Sequence, residues 1–388
     1  MPTNLISRPD TWPTILPFGS DGGYSTEADA LVSVSADGVD LNVIWSQVQE
    51  AISAWNAERS ALTALLSFST TNTADAIPQS TSSDSFEIAT EFGEPTALRA
   101  PSEHLLLGYT FEDYDKATRW SWKWLRNATA EQIRAQANYA LEADNRLVNG
   151  TLLERLFDNT PDVNEWGHTV YSLYNGDALA PPAYLGKAFS APHDHYLVSD
   201  GAVVDSGDVE DLLKTVTEHG FNQPGSQLLL FCNPQEGETI SSFRAGVENK
   251  NSAIANYDFI PSQGSPAYLT DQTIVGSVAP ATYPGLNSLK IQGSYGPAWM
   301  IQSDYIPAGY LSVVSTYGPN SPSNCIGMRI HVQTAYQGLR IIGGSVPAYP
   351  IQDSFFSRSF GVGVRRRGQA ACMQIKASGS YDVPEIAK

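Results

Sequence analysis

Positive charge, cysteine and long apolar runs are all scarce in this chain, and each scarcity closes off a class of protein. Lys and Arg number 23 against 41 Asp and Glu, a formal net charge of -18. A surface so acidic repels phosphate, which excludes a dedicated DNA- or RNA-binding protein and leaves only weak, non-specific contact with nucleic acid. Charged residues of both signs reach only 16%, below the usual quarter or so. Gly, Pro, Ser, Thr and Asn take their place, a neutral-polar surface suited to contact with other protein. The three cysteines, Cys232, Cys325 and Cys372, stand far apart with no CxxC spacing. They form neither a disulfide framework nor a cysteine zinc site, and they fit folding in a reducing cytoplasm. No apolar run approaches the roughly 20 residues of a membrane-spanning helix. The start, Met1-Pro2-Thr3-Asn4, shows no secretion signal. GxSxG, Walker, GxGxxG and HExxH motifs are all missing, so no enzyme class has a foothold. Lysine does not occur before Lys116.

What is present is enough apolar residue, 42% of 388, for a real core in two or three substructures. Residues 1–39 read as an extended arm. Pro2, Pro9, Pro13 and Pro17 forbid an ordinary helix, while Trp12 and Phe18, with Leu5, Ile6, Ile15 and Leu16, need a surface to lie on. Ile44, Val48, Ile52, Trp55, Leu62 and Leu66 recur at helical spacing with a gap at Arg59, predicting one helix over 41–66 with Asp40 as N-cap. A polar tract, 67–84, follows. Two alternating runs, Ser85 to Glu91 and His104 to Asp113, predict a long hairpin with Phe86 and Ile88 on one strand and Leu105, Leu107 and Tyr109 on the other. A lone two-stranded ribbon is marginal in water, so it too needs a partner. Thr129 and Gln132 form a capping box for a helix of some 30 residues ending near Asn159, with Gly150 as a kink point. A compact unit of short helices and strands begins near 205, with a helix over 207–219, strands at 227–232, 298–303, 310–316 and 339–343, and Asn233-Pro234 opening another helix. The class is α+β.

Few residues invite chemistry. His193 and His195 of the His193-Asp194-His195 triplet point the same way if extended, but a metal site needs three or four ligands. His104, His168, His219 and His331 are scattered along the chain. The pair is therefore read as hydrogen-bonded at a strand start, and no catalytic, cofactor-binding or metal-ligating residue is expected. Asp205 with Asp208 sits at a helix start, where carboxylates cap. The basic run Arg365-Arg366-Arg367 precedes a strand-like segment and is expected to pair with carboxylates of neighbouring subunits rather than with DNA.

Four stretches carry a resemblance: HDHYLVSDGAVVDSGDVEDL (193–212), NYDFIPSQGSPAYL (256–269), GSYGPAWMIQSDYIPAGYL (293–311) and YPIQDSFFSRSFGVGVRRRGQAACMQIKASGSY (349–381). In this order, after arm, helix, hairpin and long helix, they resemble the major capsid proteins of tailed bacteriophages, in particular those of phages infecting actinobacteria. The resemblance implies a Hong-Kong-ninety-seven-like fold and these roles: arm 1–39, helix 40–66, E-loop hairpin 67–118, peripheral domain with a spine helix 119–205, axial domain 206–340, and a return to the peripheral domain over 341–388. It further implies a non-enzymatic protein that self-assembles as pentamers and hexamers into the virion shell in the bacterial host cytoplasm. The implied partners are a portal, scaffolding and decoration proteins, and packaged double-stranded DNA, with no membrane. Trp12, Phe18, Phe86, Ile88, Arg99, Leu105, Leu107, Tyr109 and Arg365 to Arg367 become the expected subunit-interface residues. Two departures from the family are visible. A long scaffolding segment ahead of the arm is not expected, and the hairpin offers Arg99 where crosslinking relatives place a lysine. Two other readings stay open: an encapsulin-type compartment, and a cytosolic metal-dependent hydrolase centred on His193 and His195.

Overall fold

The computed structural model describes residues 32–57, 60–78, 88–89, 91–94, 104–181, 184–185, 189, 193–262, 282–283, 286–343 and 351–388. The arm up to residue 31, with Trp12 and Phe18, lies outside them, as do Phe86 and Arg99. The chain divides into two compact units: residues 1–58, 113–144 and 338–358, and residues 59–112, 145–337 and 359–388.

In the first unit, helix α1 (Leu41–Ala57) starts on Asp40, whose carboxylate accepts from the Asn42 N–H at 2.7 Å. Its inward Leu41 and Ile44 pack with Trp120, Leu125, Ala128 and Ile133, and its Ile52 with Ala140, Leu339 and Phe356. Burial of each large apolar side chain contributes roughly 1.5–3 kcal/mol. Asn56 grips the Leu339 backbone in both directions, donating to its carbonyl at 2.7 Å and accepting from its N–H at 2.8 Å. The single helix expected over 41–66 is in fact two. Ser60 has extended backbone and accepts from the Thr63 N–H, capping α2 (Ala61–Leu66) in the second unit. A serine side chain that competes for backbone N–H groups ends one helix and begins another.

A four-residue helix, α3 (Trp122–Leu125), precedes the long α4 (Ala130–Phe157), which has the expected reciprocal bonds between Thr129 and Gln132. Its 28 residues span about 42 Å. The helix runs unbroken through Gly150. A Cβ there would come within 2.5 Å of the Ala387 carbonyl oxygen, so the glycine makes room for the C-terminal tail, whose Lys388 pairs with Glu154.

The second unit is built on a seven-stranded mixed sheet in the order Tyr196–Val198, Ala370–Gln374, Tyr310–Thr316, Gln227–Cys232, Ala298–Gln302, Gly293–Tyr295, Phe259–Pro261. The two central strands are buried almost throughout, which is why LLLFC and YLSVVST read as unbroken apolar or small-residue runs. Helix α5 (Ser206–Thr217) buries Val209, Leu212, Leu213 and Val216 in the core that includes Leu228, Leu230, Val313 and Ala371. Asp205 and Asp208 form the reciprocal capping box at its start, as their positions foretold. Asn233 caps helix α6 (Pro234–Ser241) with Pro at its first turn. Strand Ala370–Gln374 sits inside this sheet, hydrogen-bonded to Tyr310–Thr316 on one side and Tyr196–Val198 on the other. A boundary at 340/341 would separate strands that share hydrogen bonds, so residues 370–374 group with the sheet.

The described part of the polar tract, 67–78, carries two strands. Ser67–Thr70 pairs in parallel with Ile326–Ile330, and Ala74–Pro78 is the antiparallel partner of His104–Gly108. The described hairpin strands are these two, and most of the expected strand 85–91 lies outside the described residues. Alternation alone could not register a partner as short and as rich in small residues as Ala74–Pro78. The expected second strand also breaks after Gly108, and a new strand begins at Glu112. Among the described residues no helix is long and apolar enough to cross a membrane.

Candidate functional site

The hairpin emerges from an anchored root. Tyr109 is fully buried, its ring laid over a cross-strand pair of glycines, Gly327 opposite Gly363. A Cβ at Gly327 would come within 2.2 Å of the ring, and one at Gly363 within 2.7 Å. Its hydroxyl donates to Asp75 at 2.7 Å, and burial and that carboxylate push the phenol pKa up. Asp75 in turn pairs with Arg365 at 3.3 Å, and the Arg365 guanidinium lies over Phe68. The next residue, Thr110, donates its N–H to the Val362 carbonyl at 3.0 Å and accepts the Val362 N–H on its hydroxyl at 2.9 Å. Gly361 and Gly363 of the SFGVGV run share one face of their strand, and both clear it for residues 108–111.

This geometry reassigns several expected interface residues. Leu107 and Tyr109 are buried within their own unit, Leu105 is half-buried, and the outward side chain on that strand is Leu106. Ile88 is the opposite case. It is 93% exposed, and so is Phe92. The arginine run is engaged inside the chain. Arg365 meets Asp75 and the Pro322 carbonyl. Arg366 donates to the Ser323 carbonyl and lies over Tyr317. Arg367 is buried and forks onto Asp177 at 2.6 and 3.1 Å, with further bonds to the Ser172 and Leu179 carbonyls. Arg367 is thus not an inter-subunit partner: four of its five N–H donors are engaged within its own unit.

A second cluster forms where the sequence showed only scattered histidines. His219 stands just beyond the C-terminal end of α5 and meets both members of the HDH triplet. Its Nε2 lies 3.1 Å from His193 Nε2 and 2.8 Å from His195 Nε2. His195 and His219 are buried and His193 is half-buried. His195 Nδ1 lies 2.6 Å from the Ala370 carbonyl oxygen, an acceptor only, so this nitrogen carries the hydrogen. Burial first, then the neighbouring His219, holds the His195 pKa well below the usual imidazole value, leaving its Nε2 as a lone pair. Phe189 stacks on His219 at 3.6 Å between centroids, and Tyr174 flanks His193 and His195. Spacing along the chain gave no sign of His219, because the turn after α5 brings it back across the fold.

Comparison with known proteins completes the picture. No protein-family model and no curated protein matches the chain. A solved structure from Mycobacterium phage Patience is 41% identical, with a TM-score of 0.70, over 91% of this chain and 93% of that one. The capsid of the cyanophage P-SCSP1u shares 11% identity at a TM-score of 0.44, over 83% of this chain and 90% of that one. An encapsulin complex from Synechococcus elongatus shares 9% at 0.42, over 86% and 98%. Kinship with the phage protein defines a phage structural protein. The chain belongs to the family of tailed-phage major capsid proteins, a component of the virion.

Proposed function

We propose that copies of this chain close into an icosahedral shell of pentamers and hexamers around double-stranded DNA, each held by a hairpin laid on its neighbour. The observation that carries this reading is the contrast within the hairpin. Its root is bolted by Tyr109, Thr110 and their glycines, while Ile88 and Phe92 beyond it stand 93% exposed. Large apolar side chains so exposed on an excursion from a fixed root suit burial against another subunit. The arm, 1–39, serves the same end through Trp12 and Phe18. The sheet-bearing unit, including 359–388, supplies the axial part of the subunit, and α4 the spine of the peripheral part. The acidic surface keeps DNA contact weak and non-specific. A portal, scaffolding and decoration proteins are the further partners of this reading, and assembly takes place in the host cytoplasm.

The test is the double substitution I88D/F92D in the full chain. Subunits with unchanged circular dichroism that fail to close into shells support the reading. Normal shells from the variant refute hairpin exchange. Wild-type particles made of twelve pentamers and filled with protein instead of DNA would favour an encapsulin-type compartment.

A further inference from the structure

Two imidazole nitrogens in the second unit face a third that has one hydrogen to offer. His195 Nε2 is a lone pair, because its other nitrogen donates to the Ala370 carbonyl. His219 Nε2 lies 2.8 Å from it and 3.1 Å from His193 Nε2, so its single N–H can point at only one of the two. The ligand atoms of all three residues fall within 4.8 Å of one another. We propose that His193, His195 and His219 bind a divalent transition-metal ion of the zinc class.

Two of the three separations fit with little rearrangement, and the third, between His193 and His195, lies within 4.8 Å and closes by rotation of half-buried His193. Zinc–nitrogen bonds of about 2.05 Å in a tetrahedron set neighbouring ligand nitrogens about 3.3 Å apart. The two observed separations therefore need to widen by only a few tenths of an ångström. The donor set suits the ion, since neutral imidazoles favour zinc, nickel, cobalt and copper over magnesium or calcium. The outer contacts suit it as well. A backbone carbonyl on the far nitrogen of a ligating histidine fixes its tautomer and ring orientation, which is what the Ala370 oxygen does for His195. His219 follows the C-terminal end of α5, where the helix dipole favours a cation. Arg367, a positive charge acting on His195, is paired with Asp177 at 2.6 Å. Phe189 and Tyr174 wall the cluster, and half-buried His193 leaves the fourth position to water. The ion would tie the segment before Tyr196–Val198 to the end of α5 and, through Ala370, to the adjoining strand. It would act as a structural staple without catalytic duty.

The experiment uses the full chain without an affinity tag. Protein stripped with a chelator and dialysed against zinc chloride should retain about one zinc per chain by elemental analysis. Cobalt(II) in its place should give the visible absorption of a four-coordinate site. H193A alters the half-exposed ligand and should lower zinc occupancy at least about tenfold while circular dichroism is unchanged. Zinc should raise the melting temperature of the wild type but not of H193A. Wild-type protein retaining less than about a tenth of an equivalent of zinc would overturn the proposal. So would an H193A/H219Q chain that keeps full zinc and the cobalt spectrum.

Discussion

A methyl group placed on Gly361 would sit 1.8 Å from the Thr110 carbonyl oxygen and 2.2 Å from its carbon. Both are backbone atoms, so no side-chain rotation relieves the overlap. Ordinary contact lies near 3.5 Å, and residues 109–111 would have to retreat by more than an ångström. That retreat breaks the Thr110 N–H to Val362 bond and the Val362 N–H to Thr110 hydroxyl bond. It also lifts the Tyr109 ring off Gly327 and Gly363. Two hydrogen bonds at about 0.5–1.5 kcal/mol each, plus overpacking at about 1–3 kcal/mol, put the loss near 2–6 kcal/mol. The assay is urea unfolding of G361A against wild type, followed by tyrosine and tryptophan fluorescence. A second readout is limited proteolysis, which should now cut near Thr110. A G361A chain with the wild-type midpoint and cleavage pattern would show that the hairpin is not anchored as described.

R367A should cost on the order of 3 kcal/mol, because it strands a carboxylate and two backbone carbonyls, and R367K should not rescue it, since lysine cannot fork. Melting should drop equally in empty and DNA-filled particles, and an effect on DNA retention alone would contradict the placement. Burial, reinforced by Asp205, Asp211 and Asp200, raises the Asp208 carboxyl to about 7. The folded chain thus keeps a proton that the unfolded chain releases near pH 4. The stability from this group is complete below that point and is lost as pH rises through about 7. D208N cannot ionise, so its melting temperature should gain on wild type between pH 5 and 8, and a constant difference would refute the sign. Finally, no lysine precedes Lys116, and the guanidinium of Arg99 stays protonated and cannot attack an amide. Boiling mature particles in detergent should release a single band near 42 kDa, whereas a ladder of covalent multimers would overturn the expectation.

The strands and helices of the sheet-bearing unit were legible because local signals agreed with the fold. Asp205 and Asn233 cap where capping chemistry puts them, and the runs at 227–232 and 310–316 are strands to the residue. What escaped were long-range facts. The partner of His104–Gly108 is Ala74–Pro78, a five-residue run about 30 residues upstream, too short and too weakly alternating to advertise itself. Tyr109 looked like an exposed ribbon residue until Gly327 and Gly363 were found beneath it. Those glycines carried a readable hint, since spacing by two in SFGVGV marks a strand face approached by other backbone. Arg367 looked like part of a basic surface because its acceptors, Ser172, Asp177 and Leu179, lie far away in sequence. His219 joined the HDH triplet by the same kind of closure.

The central claim is that a hairpin rooted in one subunit is completed by another. A cryo-electron microscopy reconstruction of purified particles tests it most directly. The expected result is a closed icosahedral shell in which residues 79–103 of each copy lie on an adjacent copy, with Ile88 and Phe92 buried between them. A shell in which both side chains face solvent or fold back onto their own subunit would contradict it.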